Sequence, residues 1–412
     1  MKIAFFSDCY LDLTGGIVSL INAQKAALEA DGHTVSVFST GFPRSEAELG
    51  KLARDHIYQV PSCRFLFRGV TPVPRRPKLI ENWLLTHHPE LETYDIFYVH
   101  YEAGCSIAGL RLARKLGIPS VQVMHGREDE GEAAIIPYGF RTFVAAALNW
   151  FHSWYIPHPV KIHRDDYLAD TISKAKMWTL MINHAKYADY VITPSEHFRK
   201  KLAHYGLNSA IKVIPNGYPD AKFPQQPAIK ALAPGQELRM IWHSRISGEK
   251  RILPFLQALT KLDGRYRLDV YGGGEDLPRA RRYAKSHHLN ATFHGDTKFD
   301  RVQAAILQSH LDILVSYNFD DYPLTLVEAE AAGVPAFICD KDMREIIPKG
   351  SYLLSSGPDP SAMAAALNHL LAHPDLIRKM SQTMLEHRDE VLISRRVKPL
   401  EDYFTSIIKS RT

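Results

Sequence analysis

The chain has 412 residues, 45% hydrophobic and 23% charged, which is the balance of an ordinary soluble folded protein. At roughly 100–200 residues per domain it has room for two domains with cores of their own, which excludes a single small binding module. Lys and Arg total 50 against 45 Asp and Glu, and a formal charge of +5 excludes the concentrated basic face of a bulk nucleic-acid binder. Cys9, Cys63, Cys105 and Cys339 lack CxxC spacing and are too sparse for a disulfide framework, which fits a reducing compartment.

The N-terminus, MKIAFFSD, has no basic segment followed by a long apolar run, and Lys2–Phe6 is the first predicted strand. A helical face of Ile17, Leu20, Ile21 and Leu28 follows, stopped by Gly32, and Val35–Phe38 is the next strand. Between Arg64 and Lys78, RFLFRGVTPVPRRPK carries five positive charges and no acid. Strands are predicted again at Ile96–Val99, Ser120–Met124, Val191–Thr193 and Lys212–Ile214. Glu128–Tyr187 breaks this rhythm: it is rich in aromatic residues and histidine, and reads as a partly helical insertion. Apolar stretches such as Thr142–Trp150 fall short of the roughly 20 residues that cross a bilayer. The expected location is cytoplasmic, peripheral at the inner face of the cell membrane.

Asp220–Gln236 contains Pro224, Pro227 and Pro234 and reads as an interdomain linker. Beyond it, strands are predicted at Leu238–Trp242, Arg267–Tyr271, Ile313–Ser316 and Ala336–Ile338. Short apolar runs alternating with amphipathic helices indicate an α/β fold with parallel sheets. The economical arrangement is two doubly wound domains, 1–220 and 237–394. Residues 395–412, with a helical segment at Val397–Ile408, are expected to cross back to the first domain. Open α/β sheets bind ligands beyond the carboxyl ends of their strands, so two such domains are expected to face a central cleft.

The most informative segment is DDYPLTLVEAEAAGVP, Asp320–Pro335. Asp320 precedes a turn, and Glu328 stands eight positions later in a helix whose first amides, with the Thr325 hydroxyl, form an anion site. A carboxylate before the turn can accept from sugar hydroxyls, and one within the helix can reach a ribose. The plainer alternative makes Asp320 a helix cap and Glu328 a solvated residue. Upstream, HSRISGEKR places Arg245 and Lys250 in the loop after a strand, where two cations neutralise a departing diphosphate.

Ser244-Arg245-Ile246-Ser247-Gly248-Glu249-Lys250, then Gly272-Gly273-Gly274, then Asp320 to Glu328 with Gly333-Val334-Pro335, resemble in order the motifs of the retaining glycosyltransferases of family 4. Gly15-Gly16 looks like that family's glycine loop at the donor phosphates, and His125-Gly126 like its sugar-contacting histidine, although alone a Gly-Gly is a turn and a strand-end His is structural. Ile192-Thr193-Pro194-Ser195 and Ile214-Pro215-Asn216-Gly217 also look like family segments. One departure is Asp320 where the family has Glu, a methylene shorter, which fits either a different donor hydroxyl pattern or a weakened site.

The resemblance implies the GT-B fold, two Rossmann-like domains, and metal-independent retaining transfer of a hexose from a nucleotide-sugar, with no further cofactor. UDP-glucose, UDP-galactose and UDP-GlcNAc are the expected donors. The expected catalytic residues are His125, Arg245, Lys250 and Asp320, with Gly15, Gly16, Gly273, Tyr322, Leu324, Thr325 and Glu328 at the donor. A glycolipid, lipid-linked or cell-envelope glycan acceptor, or an anionic membrane surface, is assigned to Arg68, Arg75, Arg76, Trp150 and Trp154. Interleaved cations and rings suit the headgroup layer, and a packed loop with a solvated basic face is the alternative. Two other functions share the architecture: a UDP-sugar 2-epimerase and a non-catalytic glycan-binding subunit.

Overall fold

The computed structural model describes residues 1–9, 16–41, 44–62, 66–67, 71–72, 76–130, 136–207, 210–225 and 227–411. The chain divides into two compact units, Met1–Pro215 with Arg396–Thr412, and Asn216–Arg395. Gly15, Arg68, Arg75 and most of the basic 64–78 segment lie outside the described residues.

In the first unit, β1 (Lys2–Ser7), β2 (Thr34–Ser39) and β3 (Ile57–Gln59) precede a short antiparallel pair, β4 (Leu66–Phe67) and β5 (Thr71–Pro72). Then come β6 (Ile96–His100), β7 (Ser120–Val123), β8 (Tyr190–Thr193) and β9 (Ile211–Val213). The main sheet is parallel in the order β3-β2-β1-β6-β7-β8-β9. Successive residues of β1 feed opposite faces: Ala4 and Phe6 pack with Phe38, Phe97 and Val99, while Ile3 and Phe5 pack with Val35, Val37 and Tyr98. A sheet buried on both faces explains the unbroken apolar strands. The helix Ile393–Lys409 closes the second face, burying Val397, Leu400, Phe404 and Ile407 against these residues, with the Phe404 ring edge-on to Tyr98 at 5.2 Å.

The second unit has β10 (Leu238–His243), β11 (Tyr266–Tyr271), β12 (Ala291–Gly295), β13 (Leu311–Leu314), β14 (Ala336–Ile338) and β15 (Tyr352–Leu354). They form a parallel sheet in the order β12-β11-β10-β13-β14-β15. Both sheets thus share a doubly wound order, with β1 and β10 at the points where it reverses. The edge strands β3, β12 and β15 are only partly buried and were not among the predicted elements. β13 lies two residues earlier than predicted, because Val315 and Ser316 leave the sheet for the loop that carries Asp320.

The division at Pro215 falls earlier than residue 220. Tyr218 is tied to the second unit by its amide on the Val391 carbonyl at 2.6 Å and by the Ile393 amide on its own carbonyl at 2.8 Å. The proline-rich segment is likewise held there: Leu232 joins the core and the Lys230 amide donates to Ser381 at 2.8 Å. Within the 128–187 insertion, the helix Arg141–Ser153 buries only Ala145 and His152, whereas Ile172–Tyr187 is buried along most of its length. Among the described residues no helix is long and apolar enough to cross a membrane.

Candidate active site

β10 ends at His243 and leads through Ser244–Ser247 into the turn Gly248–Lys250. Arg251 then adopts a left-handed φ of 65° before the helix Ile252–Leu259. The glycines after β11 let this loop come close. A Cβ at Gly272 or Gly274 would collide with the carbonyl oxygens of Ser244 or Ile246, both glycines have positive φ, and the Ile246 amide donates to the Gly273 carbonyl at 2.7 Å. Gly273 thus seats the Arg245 loop. Arg245 is partly exposed and bonded to Glu249 at 2.7 Å.

Lys250 donates to both oxygens of Asp320, at 2.6 and 2.9 Å, and its ammonium stands 5.1 Å from the Phe319 ring centroid. Ser316 also donates to Asp320. Asp320 is therefore no helix cap: the helix Leu324–Ala331 begins after Pro323 with no side-chain cap. Its first amides, on Leu324 and Thr325, are the unsatisfied donors that attract an anion. The Thr325 hydroxyl oxygen beside them is buried with no hydrogen-bond partner among the described residues. Tyr322 is partly buried, packed on the core beneath this helix.

Glu328 is no solvated helical residue either. One of its oxygens is 3.1 Å from Nδ1 of His243, whose Nε2 is 2.9 Å from Asp312 on β13. The Asp312 contact is an ion pair, off-line for a hydrogen bond. Burial pushes the His243 imidazole down, but Asp312 and Glu328 overcome this and raise it to about 10. Sequence reasoning missed His243 and Asp312, since a lone His at a strand end and an Asp in an apolar strand carry no motif.

In the first unit, Gly16 opens the helix Gly16–Ala30. His125 follows β7, and its Nε2 is 2.9 Å from Nδ1 of His100 on β6. Burial lowers His125 to about 3, so it is neutral and offers hydrogen bonds without charge. Its Nδ1 is buried and has no hydrogen-bond partner among the described residues. Asp8, after β1, accepts from the amides of Cys105, Ala103 and Ser106 at 2.7, 3.1 and 3.2 Å and ties that strand end to the helix Gly104–Leu116. Glu102 and Glu128 are half-buried beside it; desolvation and then Asp129 raise Glu128 to about 7. Asp8, Glu102 and Glu128 lay outside the predicted site.

A chain of histidines joins the insertion to β7. His158 bonds His152 at 2.6 Å, His152 bonds His184 at 2.9 Å, and His184 reaches Gln122 at 3.2 Å. Trp150 and Trp154, 61% and 58% exposed, meet edge to face at 4.3 Å, and Phe143 is 73% exposed on the same helix. Arg76 is exposed at the N-terminus of the helix Pro77–His87. Among the described residues no cluster of three His, Cys, Asp or Glu is arranged to hold a metal ion.

The family model described as Glycosyltransferase Family 4 matches residues 14–222, and that described as Glycosyl transferases group 1 matches 226–386. The chain is 24% identical over 358 residues to the alpha-monoglucosyldiacylglycerol synthase of Streptococcus pneumoniae, covering 81% of this chain and 70% of that protein. Among solved structures, sucrose-phosphate synthase from Thermosynechococcus elongatus superposes with a TM-score of 0.67 at 15% identity, over 99% of both chains. Anabaena Alr3699/HepE, solved with UDP and glucose, gives 0.64 at 14%, over 98% of this chain and 100% of that one. At such identities these structures share the GT-B fold.

Proposed function

The chain belongs to glycosyltransferase family 4, and from that premise we propose that it moves a hexose from a UDP-sugar to a glycolipid, lipid-linked or cell-envelope glycan acceptor with retention at the anomeric carbon. The observation that carries this reading is the Lys250–Asp320 pair, which joins the loop after β10 to the loop that leads into an uncapped helix N-terminus. Diphosphate departure from an oxocarbenium-like state calls above all for charge stabilisation. Arg245, Lys250 and the Leu324 and Thr325 amides supply it without a metal. Asp320 takes the donor sugar's hydroxyls and Glu328 the ribose, while neutral His125 orients the sugar through hydrogen bonds. Gly15 and Gly16 approach the donor phosphates. The acceptor attacks from the face the phosphate leaves, and that phosphate takes the acceptor proton.

The names of relatives favour a lipid acceptor, and the exposed Trp150 and Trp154 suit contact with an anionic membrane at the inner face of the cell membrane, assisted by Arg68, Arg75 and Arg76. The test is incubation with UDP-glucose, UDP-galactose, UDP-GlcNAc or GDP-mannose and lipid or oligosaccharide acceptors, read by product mass. Acceptor-dependent UDP release with a heavier acceptor supports the proposal. Acceptor-independent conversion of the donor sugar to its C2 epimer indicates an epimerase, and no turnover with any pair indicates a binding subunit. Sedimentation with anionic vesicles is expected for the native chain and lost with Arg75→Glu, Arg76→Glu, Trp150→Glu and Trp154→Glu together. Failure of the native chain to sediment refutes the membrane assignment.

A further inference from the structure

We propose that His243 is a positioning residue that clamps Glu328 for the donor's ribose diol, with Asp312 holding the imidazole from behind. The proposal rests on the reading of Glu328 as the ribose-binding carboxylate.

Adjacent strands bring the three together. β10 and β13 pair in parallel with Ile241 opposite Asp312, so the carboxylate on β13 lies beside the strand that ends in His243. Glu328 arrives from the second turn of the helix Leu324–Ala331. Asp312 is fully buried between Leu311 and Ile313, and neither of its oxygens receives a hydrogen bond among the described residues. An apolar residue would fill such a strand position at lower cost, because a buried carboxylate is tolerated only when paired. Its partner is the His243 ring, 2.9 Å away.

This arrangement has a direct chemical consequence. A neutral imidazole carries a hydrogen on one nitrogen only, so to face carboxylates from both nitrogens the ring must be protonated. With Asp312 supplying a negative charge on one side, the protonated ring pairs with Glu328 through Nδ1, 3.1 Å away, on the other. Glu328 is thereby held by one oxygen, while the other has no partner among the described residues and the side chain stays 21% exposed. A carboxylate held in this way meets a diol without first losing its rotamer freedom. Asp320, the other sugar-facing carboxylate, is held analogously by Lys250.

The test compares binding of UDP and 2′,3′-dideoxy-UDP by calorimetry. The native chain is expected to prefer UDP by about tenfold or more, as for hydrogen bonds to a charged group. His243→Gln is expected to close that gap by weakening UDP while leaving the dideoxy ligand unchanged. Asp312→Asn, which keeps the side-chain volume, is expected to do the same and serves as the test if His243→Gln does not fold. Equal weakening of both ligands, or an unchanged preference, overturns the clamp while leaving the donor reading intact. A native chain that binds both ligands equally overturns the ribose role of Glu328 and the clamp with it.

Discussion

Lys250 reaches across 70 positions of sequence to hold both oxygens of Asp320, at 2.6 and 2.9 Å. The pair joins the loop after β10 to the loop after β13, so a cation suited to a phosphate and a carboxylate suited to sugar hydroxyls share one location. The two satisfy each other's charge.

Lys250→Ala is therefore expected to lower turnover by about 10²–10³, the loss seen when a group stabilising developing charge is removed. Stability should fall by only about 1–3 kcal/mol, since Ser316 still donates to Asp320. Steady-state rates and urea unfolding of the same variant check both, and unchanged turnover refutes the assignment of Lys250 to the leaving group.

Thr325→Val separates binding from stability in the opposite sense. Among the described residues the buried hydroxyl has no partner, an arrangement that costs about 1–3 kcal/mol. Its removal is expected to leave the melting temperature unchanged or higher while weakening UDP about tenfold. Thermal unfolding with and without UDP reads both quantities; a lowered melting temperature with undiminished UDP binding would make the hydroxyl purely structural.

The Asp312–His243–Glu328 arrangement sets an alkaline limit. Burial disfavours the charged ring, but the two carboxylates hold it at about 10, above the ordinary 6.5. Tyr218, whose phenol is also raised by burial and by Glu328, stays neutral through this range. The stabilisation is complete below pH 6.5 and is lost as pH rises toward about 10. Urea unfolding across that window should show this loss in the native chain and a flatter profile in the His243→Gln, Asp312→Asn double variant.

The histidine chain acts at the other end of the scale. Burial lowers His152, His158 and His184, the last to about 3, whereas an unfolded chain protonates them near 6.5. The unfolded state binds protons first, so stability present above pH 6.5 should decline as pH falls below it. His184→Gln, which cannot titrate, is expected to make that decline shallower. An identical acid profile would remove His184 from the account.

The central strands were legible because both sheets bury both faces, and an unbroken apolar run such as Ile3–Phe6 has little alternative. Three of the four edge strands were not, as the half-buried ATFHG of Ala291–Gly295, which lacks an apolar run, illustrates. Arg245, Lys250, Asp320 and Glu328 were legible as a set through their order in sequence. The acid Asp312 was hidden because it stands in LDIL, where the run predicts only burial, and His243 because it ends a strand like any other.

By itself the sequence determined two α/β halves and which loops carry charge, since burial periodicity and motif order are local properties of the chain. Tertiary structure decided what those charges do. Strand pairing and the helix after Pro323 bring Lys250 to Asp320 and His243 between Asp312 and Glu328, so that both carboxylates are held by cations rather than serving as a helix cap and a solvated surface acid. The physical reason is that a charge acts through its neighbours within a few ångströms, and in a doubly wound sheet those neighbours come from loops far apart in sequence.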